Sequence, residues 1–142
     1  MLLPDVNILV YAFRPDSSDH AGYRDWLAAL VMGESAYGCA DQVLSGFIGV
    51  VTHPRIFAVP SPLTEALHFA EVIRGQPHCL RVAPGVRHWS LFRRLCDAAG
   101  ARGNLVPDAY LAALAIESGC EWVTTDRDFS RFPGLRWRHP FQ

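Results

Sequence analysis

The chain contains no lysine; all thirteen of its basic residues are arginine. That absence excludes a P-loop, whose lysine reaches the nucleotide phosphates. It also excludes receiver-like and haloacid-dehalogenase-like aspartate sites, which rely on a lysine beside their acids. Cysteine is scarce: Cys39, Cys79, Cys96 and Cys120 are widely spaced, with no Cys-x-x-Cys pair. A zinc cluster is therefore not expected, and neither is a disulfide framework in a chain of this size. Reduced, mostly buried thiols and a cytoplasmic protein are the expectation. No apolar run approaches the roughly 20 residues of a membrane span. The opening "MLLPDVNILVYAF" has no basic leader and no small-residue cleavage site, and Asp5 interrupts it, so it does not read as a signal peptide. Internal repeats and low-complexity linkers are also missing. No serine sits in a nucleophile elbow, and no metal-ligand spacing links His53 to His88.

The formal net charge of −1 excludes a globally basic nucleic-acid binder. Residues 87–142 are nonetheless mildly basic, with eight arginines against six acids. Arginine is the better bidentate phosphate ligand. Arg55, Arg87, Arg93 and Arg94 would be candidates to face a nucleic acid if one were the substrate, although Arg93 and Arg94 equally suit the solvated face of an amphipathic helix. Arg127 is a candidate to meet a phosphate or a neighbouring carboxylate. Trp89, Trp122 and Trp137 read as core residues.

At 142 residues and 50% hydrophobic content, the chain reads as a single globular domain spanning 1–142. "LLPDVNILVYAF" reads as a buried strand broken by Asp5 and Asn7. "SDHAGYRDWLAALVMGE" reads as a helix capped by Ser18 or Asp19. "AYGCA" is a short strand, and "DQVLSGFIGVVTH" a buried helix or apolar turn ended by Pro54. "SPLTEALHFAEVIRGQ" is a helix with Ser61 as cap, and "HCLRVA" a strand. Two more helices follow, stopped by Gly100 and Gly119. The second is rich in alanine and so belongs at the centre of the fold. "EWVTT" is a strand, "DFSRF" a helical turn and "GLRWRHP" a last strand. Strands alternating with helices predict a three-layer α/β/α domain with a central parallel sheet.

Acids recur where such a sheet binds ligands, at the C-terminal edge of its strands. Asp5 is expected inside the first strand, with Asn7 on the same face. Asp108 opens the alanine-rich helix. In "VTTDRDF", Asp126 follows the last long strand and Asp128 comes two residues later. Each has an ordinary alternative, as a turn residue, a helix cap or a partner of the helix dipole. Together they point to a shared site. Clustered carboxylates repel unless protonated or bridged by a cation. An oxygen-only set suits a hard ion, Mg²⁺ or Mn²⁺. Such ions support phosphodiester hydrolysis.

"DVNILVYAF", "LVPDAYLAALAIESG" and "WVTTDRDFSRFPGL" resemble PIN-domain ribonucleases, and more narrowly the VapC-type toxins of bacterial toxin–antitoxin pairs. "GFIGVVTHPRIF" and "GVRHWSLFRRL" resemble one toxin subgroup. The resemblance implies a PIN-like fold and metal ligands at Asp5, Asp108 and Asp126. It implies that Asp128 is an auxiliary acid, that Asn7 orients Asp5 or a water, and that Thr125 supports the acid beside it. It further implies a Mg²⁺-dependent endoribonuclease (Mn²⁺ as an alternative ion) acting on structured RNA, tRNA or rRNA. A small cognate antitoxin and a homodimer complete the expectation. Many PIN domains carry a glutamate on the helix after the second strand; here Gln42 and Gly46 stand in that stretch. Asp41 is the one acid that could replace it, and its ordinary role is a helix cap, so the metal count stays open. A related DNA nuclease and a non-catalytic cation-binding module are the alternatives.

Overall fold

The computed structural model describes residues 1–142. Five short strands form one parallel sheet: β1 (Leu2–Pro4), β2 (Tyr37–Cys39), β3 (Cys79–Arg81), β4 (Glu121–Val123) and β5 (Trp137–Arg138). Their order is β3-β2-β1-β4-β5. All pairings are parallel, with Leu3 opposite Trp122 and Tyr37 opposite Cys79. Six helices connect them: α1 (Val6–Phe13), α2 (His20–Val31), α3 (Asp41–Val51), α4 (Leu63–Arg74), α5 (His88–Ala99) and α6 (Leu105–Ser118). Helices α1 to α4 pack on one another, while α5 and α6 pair as a hairpin against β4. This is the expected α/β/α arrangement.

The strands are only two or three residues long, and the central three, β2, β1 and β4, are largely buried. One cluster of 31 buried apolar residues runs through it, with Leu3, Tyr37, Trp122 and Val123 fully enclosed. Helix α6 is central, as its composition predicts: Ala109, Ala112, Ala113 and Ala115 have no exposed surface. Small side chains let its backbone approach the sheet closely. Gly38 marks a similar approach in β2. A Cβ there would lie 3.2 Å from Val82 and 3.3 Å from Leu3. Gly100 and Gly119 end α5 and α6 with φ of 58° and 72°, the left-handed conformation that glycine adopts at least cost.

Three local expectations are corrected. The first strand does not run through Asn7: it stops at Pro4, and α1 begins at Val6. The apolar run "NILVYAF" is buried by helix packing, which hydrophobicity alone does not distinguish from a strand. Ser61 does not cap α4. Pro62 holds that position, and the Ser61 hydroxyl accepts from Arg14, whose guanidinium also donates to the Val59 carbonyl. Asp19 precedes α2 with φ of 55° and makes no capping bond. All four cysteines are unpaired, Cys39 and Cys120 buried and the other two half-buried.

Candidate active site

The strand order reverses direction at the centre of the sheet. From β1 the chain winds outward through β2 to β3, then crosses back to β4 on the other side. In an open parallel sheet the crevice at such a switch, beyond the strands' C-terminal ends, is the place for a ligand. Asp5 leaves β1 and Thr124 leaves β4 on the two sides of this crevice. The Asp5 backbone N–H donates to the Val123 carbonyl at 2.9 Å, which locks the two strand ends together.

Asp5 is the N-cap of α1 rather than a residue within a strand. One carboxylate oxygen accepts from the Val6 N–H at 2.6 Å. The other accepts from the Thr124 hydroxyl at 2.7 Å and from Asn7 Nδ2 at 3.3 Å. Asn7 lies in the first turn of α1, and its Oδ1 accepts from the Thr125 N–H at 3.4 Å. It therefore orients Asp5 from a helix, not from the same strand face. Asp108 sits in the first turn of α6, as expected. Asp126 caps the 3₁₀ turn Arg127–Arg131 by accepting from the Asp128 N–H at 2.9 Å. Three of the acids thus stand at helix starts, where aligned backbone N–H groups favour negative charge. Phe129 and Phe132 anchor the 3₁₀ turn in the core, with Phe129 against Trp122 at 5.4 Å.

Thr124 is the residue that sequence reasoning missed. It is fully buried. Its hydroxyl donates to Asp5, accepts from Asn7 Nδ2 at 3.1 Å and accepts from the Asp126 N–H at 3.0 Å. One donor and two acceptors are all that a hydroxyl has. Thr125, expected to support the neighbouring acid, donates its backbone N–H to Asn7 Oδ1. The signal was the adjacent pair "TT" continuing β4: alternation sends the two hydroxyls to opposite sides, and the inward one is two residues before Asp126.

The four acids share one electrostatic field. Burial pushes the Asp5 carboxyl up to about 6, against the lowering effect of its Thr124 and Val6 hydrogen bonds; Asp126 adds repulsion. Asp108 is also pushed up to about 6, first by burial and then by the charges of Asp126, Asp5 and Asp128. None of the four forms an ion pair with arginine. No three of them close on one ligation point. The donor set fits a hard divalent cation: oxygen only, anionic and lacking a basic partner. Asp41 is not part of it. Its carboxylate is bound by Arg74 at 2.7 and 3.1 Å, which lowers its pKa. Gly46 packs tightly instead, since a Cβ there would meet Val6 at 3.1 Å. His88 is structural, with its Nε2 bonded to the Tyr110 carbonyl at 2.9 Å.

The family profile of the PIN domain matches residues 2–135. The chain belongs to the PIN-domain family. Within that family it is similar to ribonuclease VapC43 of Mycobacterium tuberculosis, at 45% identity over 99% of this chain and 95% of that protein. Among solved structures, this PIN domain superposes on VapBC-1 from nontypeable Haemophilus influenzae with a TM-score of 0.69. The identity there is 13%, over 99% of this chain and 98% of that one. VapC20 of Mycobacterium tuberculosis, described as a Sarcin-Ricin loop cleaving toxin, gives a TM-score of 0.66 at 16% identity. Its match covers 96% of this chain and 99% of that one. At these identities the two structural likenesses are ones of fold. No helix is long and apolar enough to cross a membrane.

Proposed function

We propose that this PIN domain is a metal-dependent endoribonuclease and the toxin of a toxin–antitoxin pair. The observation that carries the reading is the set of four acids at the β1/β4 crevice, none paired with an arginine, in which Asp5 and Asp108 are pushed up first by burial and then by neighbouring acid charge. Similarity to a named VapC ribonuclease over nearly the whole chain supports the choice of reaction. Asp5, Asp108 and Asp126 would hold Mg²⁺, or Mn²⁺ in its place. When bound, such an ion acidifies water and offsets charge on phosphate oxygens. The chain's own residues do the rest. Asn7 and Thr124 fix the Asp5 carboxylate, Thr124 also fixes the backbone of Asp126, and Asp128 stands beside them with its carboxylate free of internal bonds.

The substrate in this reading is structured RNA, tRNA or rRNA, as the Sarcin-Ricin loop activity of VapC20 illustrates for one relative by fold. A small antitoxin would block the acidic crevice, in keeping with the VapBC assemblies that share the fold. A homodimer in the cytoplasm completes the proposal. Sequencing of RNA 5′ ends after induced expression tests it. Discrete new ends within tRNA or rRNA are expected, together with growth arrest. A synthetic substrate with 2′-deoxyribose throughout should resist cleavage if RNA is the true target. Equal cutting of that substrate would instead favour a DNA nuclease, and no new ends at all a non-catalytic cation-binding module.

A further inference from the structure

A basin of about 660 Å³ opens beside the acidic crevice, lined by Thr125, Arg127, Ser130, Trp137, His139 and Gln142. It is continuous with the site along the chain: Thr125 adjoins Asp126 and donates its N–H to Asn7, and Arg127 lies between Asp126 and Asp128. Arg127 is the feature that calls for a partner. It is exposed and flanked in sequence by two carboxylates, yet it forms an ion pair with neither. Alternation along β5 turns Trp137 and His139 toward the basin, while Arg138 on the other face meets Glu121 at 3.4 Å. Trp137 is half-buried: it packs against the core and also lines the basin. His139 Nδ1 accepts from the Phe141 N–H at 3.2 Å, and its Nε2 lies 3.5 Å from the Tyr23 hydroxyl. Hydroxyls of Thr125 and Ser130 and the Gln142 amide complete a polar wall around one aromatic face.

A polyanion approaching the acids meets repulsion, so its neighbouring phosphate needs a cation close to the crevice. Arg127 supplies one, in the forked geometry that suits phosphate. The basin's size is that of a small-molecule site. An aromatic face beside a phosphate ligand is the pairing by which single-stranded nucleic acid is held. We propose that this basin binds the RNA nucleotide next to the scissile phosphate, with Trp137 stacking on its base and Arg127 holding its phosphate. The assignment rests on the ribonuclease reading for its substrate, and it concerns binding beyond the acids rather than the chemical step.

The test uses the full chain in EDTA, where no turnover is expected, and a fluorescein-labelled single-stranded RNA decamer followed by anisotropy. Arg127→Gln and Trp137→Leu should each weaken binding about five- to ten-fold, the effect of losing one stacked base or one phosphate contact. Arg24→Gln, a charge change of the same size on α2, should stay within about two-fold of wild type. Inorganic phosphate should compete less well against Arg127→Gln than against wild type. Arg127 is exposed, so its variant remains informative even if Trp137→Leu fails to fold. Unchanged affinity in Arg127→Gln, or no binding of the decamer by wild type, overturns the proposal. Loss in Arg127→Gln with unchanged affinity in a folded Trp137→Leu also overturns it, because that is an anion site without base recognition. The two readings separate cleanly. If basin variants lose binding while wild type cuts no RNA in Mg²⁺, the basin stands as a nucleotide-binding site, and the ribonuclease reading falls together with the basin's place beside a scissile phosphate. If wild type cuts RNA and the variants bind and cut as it does, the reverse holds.

Discussion

The Thr124 hydroxyl does three jobs at once, and its loss cannot be local. Thr124→Val keeps the shape but strips a donor from Asp5 and acceptors from Asn7 and the Asp126 N–H. Leaving buried polar groups unpaired costs on the order of 1–3 kcal/mol. The expected outcome is a fall of several degrees in Tm together with a large loss of RNA cleavage. Thr124→Ser, which keeps the hydroxyl, should recover most of both; a Val variant with wild-type Tm and rate would remove Thr124 from the site. Asp126 and Asp128 divide differently from what their spacing suggests. A capping role for Asp128 was an open possibility in the sequence, but the cap is Asp126, and the Asp128 carboxylate makes no internal bond. Asp128→Asn should therefore leave Tm within about 1 °C, since a surface change away from caps and cores is nearly neutral. It should slow single-turnover cleavage less than Asp126→Asn does. Equal and complete loss in both would make Asp128 a primary ligand. The acids themselves were legible from their places in the sequence. Thr124 was legible only as the inward member of the "TT" pair, because its bonds to Asp5 and Asn7 join residues more than a hundred positions apart and leave no local pattern.

At the scale of elements, the site is a meeting of helix starts. Asp5, Asp108 and Asp126 each open or adjoin the first turn of a helix or 3₁₀ turn at the same sheet edge. Without a divalent cation this arrangement carries a pH signature. Asp5 and Asp108 keep their protons up to about 6 in the folded chain, against 3.8 as the ordinary value. Between those limits the folded state binds more protons than the unfolded state, so this contribution to stability falls as pH rises from about 4 to about 6 and is level above. A bound cation needs the acids deprotonated. Mg²⁺ should then raise Tm clearly at pH 7.5 and little at pH 5, as read by thermal melts with Mg²⁺ or EDTA. An equal rise at both values would mean that the ion binds elsewhere. Most elements were legible: both glycine stops, the alanine-rich helix and the short strands fall where composition and turn residues place them. The first element was not, because three strand residues pass directly into a helix that is apolar on nearly every side. Periodicity has nothing to separate there.

Across the whole molecule, strand order decides what the sequence cannot. Alternating strands and helices give a parallel sheet, but only the order β3-β2-β1-β4-β5 puts β1 beside β4 and brings Asp5 to Thr124. Asp41, the first residue of α3, is bound by Arg74, so α3 contributes no free acid to the crevice. The central claim is that the crevice acids hold a hard cation for cutting RNA. Its most direct test is single-turnover cleavage of one RNA, with ends mapped, by wild type and Asp108→Asn in EDTA, Mg²⁺ and Mn²⁺. The Asp108 side chain makes no hydrogen bond within the protein, so Asp108→Asn should keep the fold and replace only a charged oxygen. The account predicts cleavage by wild type in Mg²⁺ or Mn²⁺, none in EDTA, and none by a fully folded Asp108→Asn in any of the three. Cleavage that persists in excess chelator, or an Asp108→Asn protein that cuts at the wild-type rate, would contradict it.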